Sequence, residues 1–246
     1  MQMVSFIVDE LKLIASVTPR AGNYSMKALL SGHKGYKPEW ETPQPYSAFI
    51  ENGVLMDKYR DYKKIKLVIN PYNRAVSCFN ILSSSPKLKL WGDLDMNQEQ
   101  AMELSFRSFL DIMEKKDLTT INHHFMLQYS ELDRIVGYYI QKSENINNEI
   151  QMLNNFTGLE FETIYPGNSK AKMDLGQKTM DWSFNKIKDT GYEVLEKKGT
   201  IFTEKRENRN TFFYPEYKLF FDEQIRNKVY NIYKSDIEAY NYKFEW

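Results

Sequence analysis

Residues 12–30, KLIASVTPRAGNYSMKALL, run from an apolar stretch through a turn into a helical pattern, and their reading decides the fold. Lys12 to Val17 is a short apolar run that suits a buried parallel strand, and it ends at Thr18-Pro19. Arg20-Ala21-Gly22-Asn23 is a turn. Tyr24 to Leu30 is predicted as a helix, stopped by Ser31-Gly32-His33-Lys34-Gly35. A helix that opens just past a strand end points its first amides outward with partial positive charge, and such amides bind phosphate oxygens. Gly22 lets the backbone approach a ligand closely, while Arg20 and the hydroxyl of Ser25 add side-chain donors. One glycine ahead of a helix also makes an ordinary turn, so this segment needs support from elsewhere in the chain.

That support comes from Lys66 to Phe79, KLVINPYNRAVSCF, which again runs from strand to helix. Lys64 to Ile69 is the strand, Asn70-Pro71 breaks it, and Pro71 suits the first turn of a helix reaching about Ile81. Arg74 and Ser77 are three apart and share a helical face, where one charge and one hydroxyl can hold a single phosphate. Further along, Asn97 to Lys115 is predicted as one amphipathic helix and Ile135 to Gln141 as a strand. Asn145 to Phe156 is predicted as a helix stopped by Gly158, and Glu160 to Tyr165 as a strand. Asp222 to Tyr240 reads as a final helix with Ile225, Val229, Ile232, Tyr233 and Ile237 on one side. Residues 166–211 are lysine-rich and weakly periodic, with a helix expected around Gln177 to Lys188. They are taken as an irregular insertion within a single domain spanning 1–246. Strand-then-helix units point to an α/β fold, a P-loop-like parallel sheet flanked by helices.

Composition excludes several classes. Lys+Arg and Asp+Glu are equal at 33 each, which argues against broad nucleic-acid binding, because that needs a basic excess. Cys78 is the only cysteine, so no disulfide framework exists. No apolar run approaches the about 20 residues that span a bilayer, and the first residues lack a basic leader pattern. A soluble, cytoplasmic protein is expected. No spacing of metal ligands is present. The nucleotide-triphosphate loop G-x-x-x-x-G-K-[ST] is absent as well, which speaks against an ATP-dependent small-molecule kinase.

The two segments together resemble the donor-binding motifs of sulfotransferases that use 3′-phosphoadenosine 5′-phosphosulfate (PAPS), above all the carbohydrate sulfotransferases. The family's first motif, roughly P-K-[TA]-G-[TC]-[TS]-S, is Pro19-Arg20-Ala21-Gly22-Asn23-Tyr24-Ser25 in this chain. Its second, roughly R-[ND]-P-[YF]-x-R-[LA]-[VY]-S, is Ile69-Asn70-Pro71-Tyr72-Asn73-Arg74-Ala75-Val76-Ser77. Asn122-His123-His124-Phe125 followed by Ile135 to Leu153, and then Phe221 to Phe244, resemble the family's later conserved stretches in the same order. The departures are Arg20 where the family has lysine, Ile69 where it has arginine, and Asn23 and Tyr24 where it has small hydroxyl residues. Arginine keeps the charge but offers a planar fork rather than a point charge.

The resemblance implies transfer of a sulfuryl group from PAPS to a hydroxyl or amine, with a glycan as the expected acceptor and adenosine 3′,5′-bisphosphate as product. It implies that Arg20 and the amides of Ala21 to Tyr24 meet the 5′-phosphosulfate, and that Arg74 and Ser77 meet the 3′-phosphate. A general base is implied too. Glu41 and His33, in the Gly-, Pro- and aromatic-rich loop after the first helix, and His124 are the candidates. Tyr36, Trp40 and Tyr46 of that loop can stack on a sugar. A nucleotide- or glycan-binding module without transfer activity and an assembly protein without a ligand remain open beside it. A microbial or viral source fits the missing membrane anchor.

Overall fold

The computed structural model describes residues 4–21, 26, 29–30, 45–84, 89–161 and 217–244. In chain order their strands and α-helices are β1 (Val4–Val8), β2 (Leu13–Val17), β3 (Ile50–Glu51), β4 (Val54–Leu55), β5 (Lys63–Val68), α1 (Pro71–Ser84), α2 (Gln98–Glu103), α3 (Phe106–Met113), α4 (Glu131–Val136), β6 (Tyr139–Lys142), α5 (Ile150–Thr157), α6 (Glu223–Ile232) and α7 (Lys234–Ala239). The chain gathers into two compact units, each made from two separated stretches. One joins Met1–Asn70 to His123–Pro166, the other Pro71–Asn122 to Gly167–Trp246. A single domain over 1–246 stands as a proposal beside this division.

The first unit is built on a four-stranded sheet in the order β1-β2-β5-β6. β2 and β5 are parallel, as are β5 and β6, while β1 folds back antiparallel on β2. All five residues of β2 are buried, as a central strand covered on both faces requires. Phe6, Val8, Leu13, Ala15, Val17, Ile65 and Leu67 project to one face, where Leu153 of α5 closes over them. Ile14 lies on the other face with Phe49, Tyr59 and Val136 of α4. Helices on both faces of a mostly parallel sheet make the α/β class expected from the sequence. Met26, Leu29 and Leu30 are helical and buried in the first of these clusters, so the pattern after the first turn holds at those residues. β3 and β4 form a small hairpin across Asn52-Gly53, both at positive φ (50° and 76°). That pair of dihedrals marks the two-residue hairpin turn an Asn-Gly sequence favours.

The second unit is helical among its described residues, and its interior is aromatic. Phe79 of α1 lies with its ring 5.5 Å from Phe106 and 5.7 Å from Phe109, both on α3, and Phe220 closes on Phe106 at 5.4 Å. Such tilted pairs add to the burial of large rings. Asp222 caps α6 by accepting the Ile225 N–H at 2.7 Å and also accepts from Arg107 at 3.1 Å.

Several boundaries differ from the sequence reading. The helix expected over 97–115 is two helices. Asn97 and Ser105 each accept an amide in the turn they precede, so each starts a helix of its own. The strand expected over 135–141 is confined to Tyr139–Lys142. The Ser130/Asp133 capping box opens α4 before it, and Gly137 at φ 70° closes that helix. The helix expected over 145–156 starts at Ile150, after a 3₁₀ turn at Ser143–Asn145, and Gly158 ends it as expected. The final helix divides at Tyr233, which stands between α6 and α7 at φ −109°, ψ 25°. β1 was not anticipated. Glu160 and Phe161 are irregular, and residues 162–165, the 177–188 helix and the rest of 166–211 lie outside the described residues.

Candidate active site

The registers Val17↔Leu67 and Val68↔Lys142 bring the carboxyl ends of β2, β5 and β6 to one edge of the sheet. Loops that follow parallel strands at such an edge are where open α/β sheets place ligands. Thr18 to Ala21 leave β2 there, Ile69 and Asn70 leave β5, and Ser143 and Glu144 leave β6. Both phosphate-binding candidates of the sequence thus begin at neighbouring strand ends.

The first begins with a tight turn. The Ala21 N–H donates to the Thr18 carbonyl at 2.9 Å, with Pro19 second and Arg20 third in the turn. Arg20 has φ 67°, the left-handed value that the third position of a type II turn demands and that glycine ordinarily supplies. A non-glycine residue there costs about 1 kcal/mol. Backbone strain held at a loop of this kind is a mark of functional sites. Ala21 is wholly buried and Arg20 half-buried. Gly22, Asn23, Tyr24 and Ser25 lie outside the described residues.

Thr18, only 4% exposed, carries a hydroxyl with no hydrogen-bond partner among the described residues. An unsatisfied buried hydroxyl is destabilising. Thr18→Val keeps the shape and removes that group. It is expected to raise the urea midpoint by the equivalent of about 1 kcal/mol. A lowered midpoint would mean that the hydroxyl is engaged in the folded protein.

The second candidate is held by residues the sequence reading passed over. Gln128, 1% exposed, turns its side-chain amide onto the backbone of Ile69. Its Oε1 accepts the Ile69 N–H at 2.9 Å and its Nε2 donates to the Ile69 carbonyl at 2.8 Å. The Asn70 N–H donates to Glu144 Oε1 at 2.5 Å. Behind them Lys66, fully buried in mid-strand, donates to the Gln128 carbonyl and pairs with Asp133 Oδ2 at 2.6 Å. Asp133 also accepts the Ser130 N–H at 3.1 Å. Ser5, Ser16 and Tyr138 form a hydroxyl chain with contacts of 2.7 and 2.8 Å. Ser5 and Ser16 share a register, as do Ser16 and Lys66. Ile69, which stands where the resemblance has arginine, packs its side chain against the apolar cluster.

α1 opens at Pro71 directly after Asn70. Within the second unit Arg74 has no exposed surface, and Ser77, one turn on, is half-buried. The Tyr233 hydroxyl is buried nearby. Its burial pushes the phenol far above the usual tyrosine range, the Cys78 thiol and Asp236 add to the rise, and Arg74 opposes it. His124 is half-buried in the first unit, its ring 4.3 Å from that of His123. His33, Tyr36, Trp40 and Glu41 lie outside the described residues.

One signal in the sequence points to the buried pair. A lysine between Ile65 and Leu67 in a central parallel strand needs a counter-charge. Gln128 and Glu144 carry no such mark, because they act on backbone groups. No helix among the described residues is long and apolar enough to cross a membrane. A family model described as the sulfotransferase family matches residues 5–243. No curated protein and no solved structure gives a significant match to the chain.

Proposed function

The chain belongs to the sulfotransferase family, and on that premise we propose that it moves the sulfuryl group of PAPS to a hydroxyl or amine of a carbohydrate. Sulfuryl transfer is the reaction class that membership brings. The donor and the acceptor are the proposal. The observation that carries it is the pair of adjacent parallel strand ends, one leading into the strained Thr18–Ala21 turn and the other into Asn70-Pro71 and α1.

In this reading Arg20 and the amides of Ala21 to Tyr24 bind the 5′-phosphosulfate, with Gly22 giving close approach and Ser25 adding a hydroxyl. The positive end of α1, Ser77 and the charge of Arg74 bind the 3′-phosphate. Ser77, being half-buried, gives the direct hydrogen bond, and Arg74 contributes charge from the interior. The acceptor oxygen or nitrogen attacks sulfur as the bond from sulfur to the phosphate oxygen breaks, and its proton passes to a base. Glu41, His33 and His124 are the proposed bases. Little covalent chemistry falls to the protein, so positioning and charge dominate, as in phosphoryl transfer.

Adenosine 3′,5′-bisphosphate at 100 times its dissociation constant is expected to stabilise the protein by about 2.7 kcal/mol, seen as a rise in melting temperature of several degrees. AMP and ATP at the same concentration are expected to give smaller shifts. Equal shifts with all three would remove the PAPS assignment. Ile69 packing against the core favours a second reading, a donor-binding module without transfer, because an apolar side chain occupies the place of one arginine of the family pattern. Release of adenosine 3′,5′-bisphosphate from PAPS when glycans are supplied separates the two.

A further inference from the structure

We propose that Gln128 is a positioning residue for 3′-phosphate recognition, clamping the backbone of Ile69 at the end of β5, with Glu144 completing the clamp at the Asn70 amide. The inference rests on the donor reading above.

Val68, paired with Lys142, is the last residue of β5 in the ladder. Ile69 therefore leaves the sheet with both backbone groups to satisfy, and the short connection to Pro71 would be free to swing. Only a primary amide side chain offers an acceptor and a donor spaced to match a peptide N–H and C=O. Gln128 uses both on Ile69, at 2.9 and 2.8 Å. Its own carbonyl is held by Lys66 of β5, three residues before Ile69, and Lys66 is fixed by Asp133. The clamp is thus tied back to the strand whose end it sets.

Glu144 takes the next amide, that of Asn70, and Pro71 has none. Every N–H from 69 to 71 is accounted for, so the amides that α1 offers to an anion begin only after Pro71. A shift of about 1 Å in such a group is enough to degrade a site. The clamp governs the 3′ end of the donor and leaves the turn after β2 untouched. Its loss should appear as lost discrimination for the 3′-phosphate rather than as general weakening.

The test is calorimetric binding of adenosine 3′,5′-bisphosphate and of AMP to wild type, Gln128→Met, Glu144→Ala and Glu144→Gln. Gln128→Met keeps the volume and removes both hydrogen bonds. It is expected to lower the ratio of the two affinities about tenfold, the scale of one or two hydrogen bonds, with AMP affinity unchanged. Glu144→Ala, at an exposed position that does not endanger folding, is expected to move the ratio the same way, and Glu144→Gln, which keeps an acceptor oxygen, to restore it.

Unchanged ratios in both Gln128→Met and Glu144→Ala overturn the clamp while the donor reading stands. A parallel loss for both nucleotides also overturns it, by reducing it to a structural role. If Gln128→Met does not fold, the two Glu144 variants decide. A wild type that does not prefer the bisphosphate to AMP removes the donor reading, and the clamp's function with it.

Discussion

Arg20→Ala is expected to lower sulfuryl transfer by about 10²–10³-fold, the usual consequence of removing one preorganised donor from developing charge. In the proposed reaction negative charge grows on the phosphate oxygen that leaves sulfur, and Arg20 stands in the turn assigned to that end. Arg20→Lys keeps the charge and supplies the residue the family carries there. It is expected to retain most of the rate, whereas alanine is not. The backbone gives the prediction a second, independent reading. At φ 67° any residue with a Cβ is strained, and glycine is not. Arg20→Gly is therefore expected to be more stable than Arg20→Ala by about 1 kcal/mol in urea unfolding, while transferring equally poorly. Wild-type turnover in the alanine variant would remove Arg20 from catalysis. Equal stability of the alanine and glycine variants would remove the strain.

The sequence made the sheet's central strands legible because a strand buried on both faces leaves a continuous apolar run. The runs at 12–17 and 64–69 stand within a residue of β2 and β5. Each is followed by a proline that ends it, so the strand-to-turn junctions were legible too. β1 was harder to see, as an edge strand of five residues paired on one side only. Helical periodicity by itself could not separate α2 from α3, since both keep apolar residues at helical spacing. The break lies in Ser105, whose side chain caps a new helix. Arg20, Arg74 and Ser77 could be picked out because cations and hydroxyls beside a strand end suggest an anion. Gln128, Glu144 and Asp133 could not, because their partners are a backbone segment and a lysine at sequence distances of 59, 74 and 67 residues. The burial of Arg74 was equally hidden. Nothing in NPYNRAVS distinguishes a solvent-facing guanidinium from one enclosed by later helices.

Lys66→Met is expected to destabilise the protein by about 3–5 kcal/mol, the cost of breaking a buried ion pair by removing one partner. The lysine is fully buried and its ammonium has two acceptors, the Asp133 carboxylate and the Gln128 carbonyl. Methionine fills the same volume, so packing changes little. What remains is a carboxylate 7% exposed that still accepts the Ser130 N–H but has lost the Lys66 ammonium. Desolvation of a buried carboxylate that has lost its lysine, rather than loss of attraction, sets the size of the effect. The double variant Lys66→Met/Asp133→Asn tests that cause. Asparagine keeps an acceptor oxygen for the Ser130 amide, so the start of α4 is preserved, and no net charge is buried. The double variant is accordingly expected to be more stable than Lys66→Met alone, with a coupling of about 1–3 kcal/mol between the sites. Additive losses would show that the two groups act independently, and a loss below about 1 kcal/mol in Lys66→Met would mean the pair is hydrated. Because the lysine also holds the Gln128 carbonyl, the same variant should loosen Ile69. The Ile69 amide proton, donated to Gln128 in the native protein, is expected to exchange faster in Lys66→Met than overall stability alone accounts for.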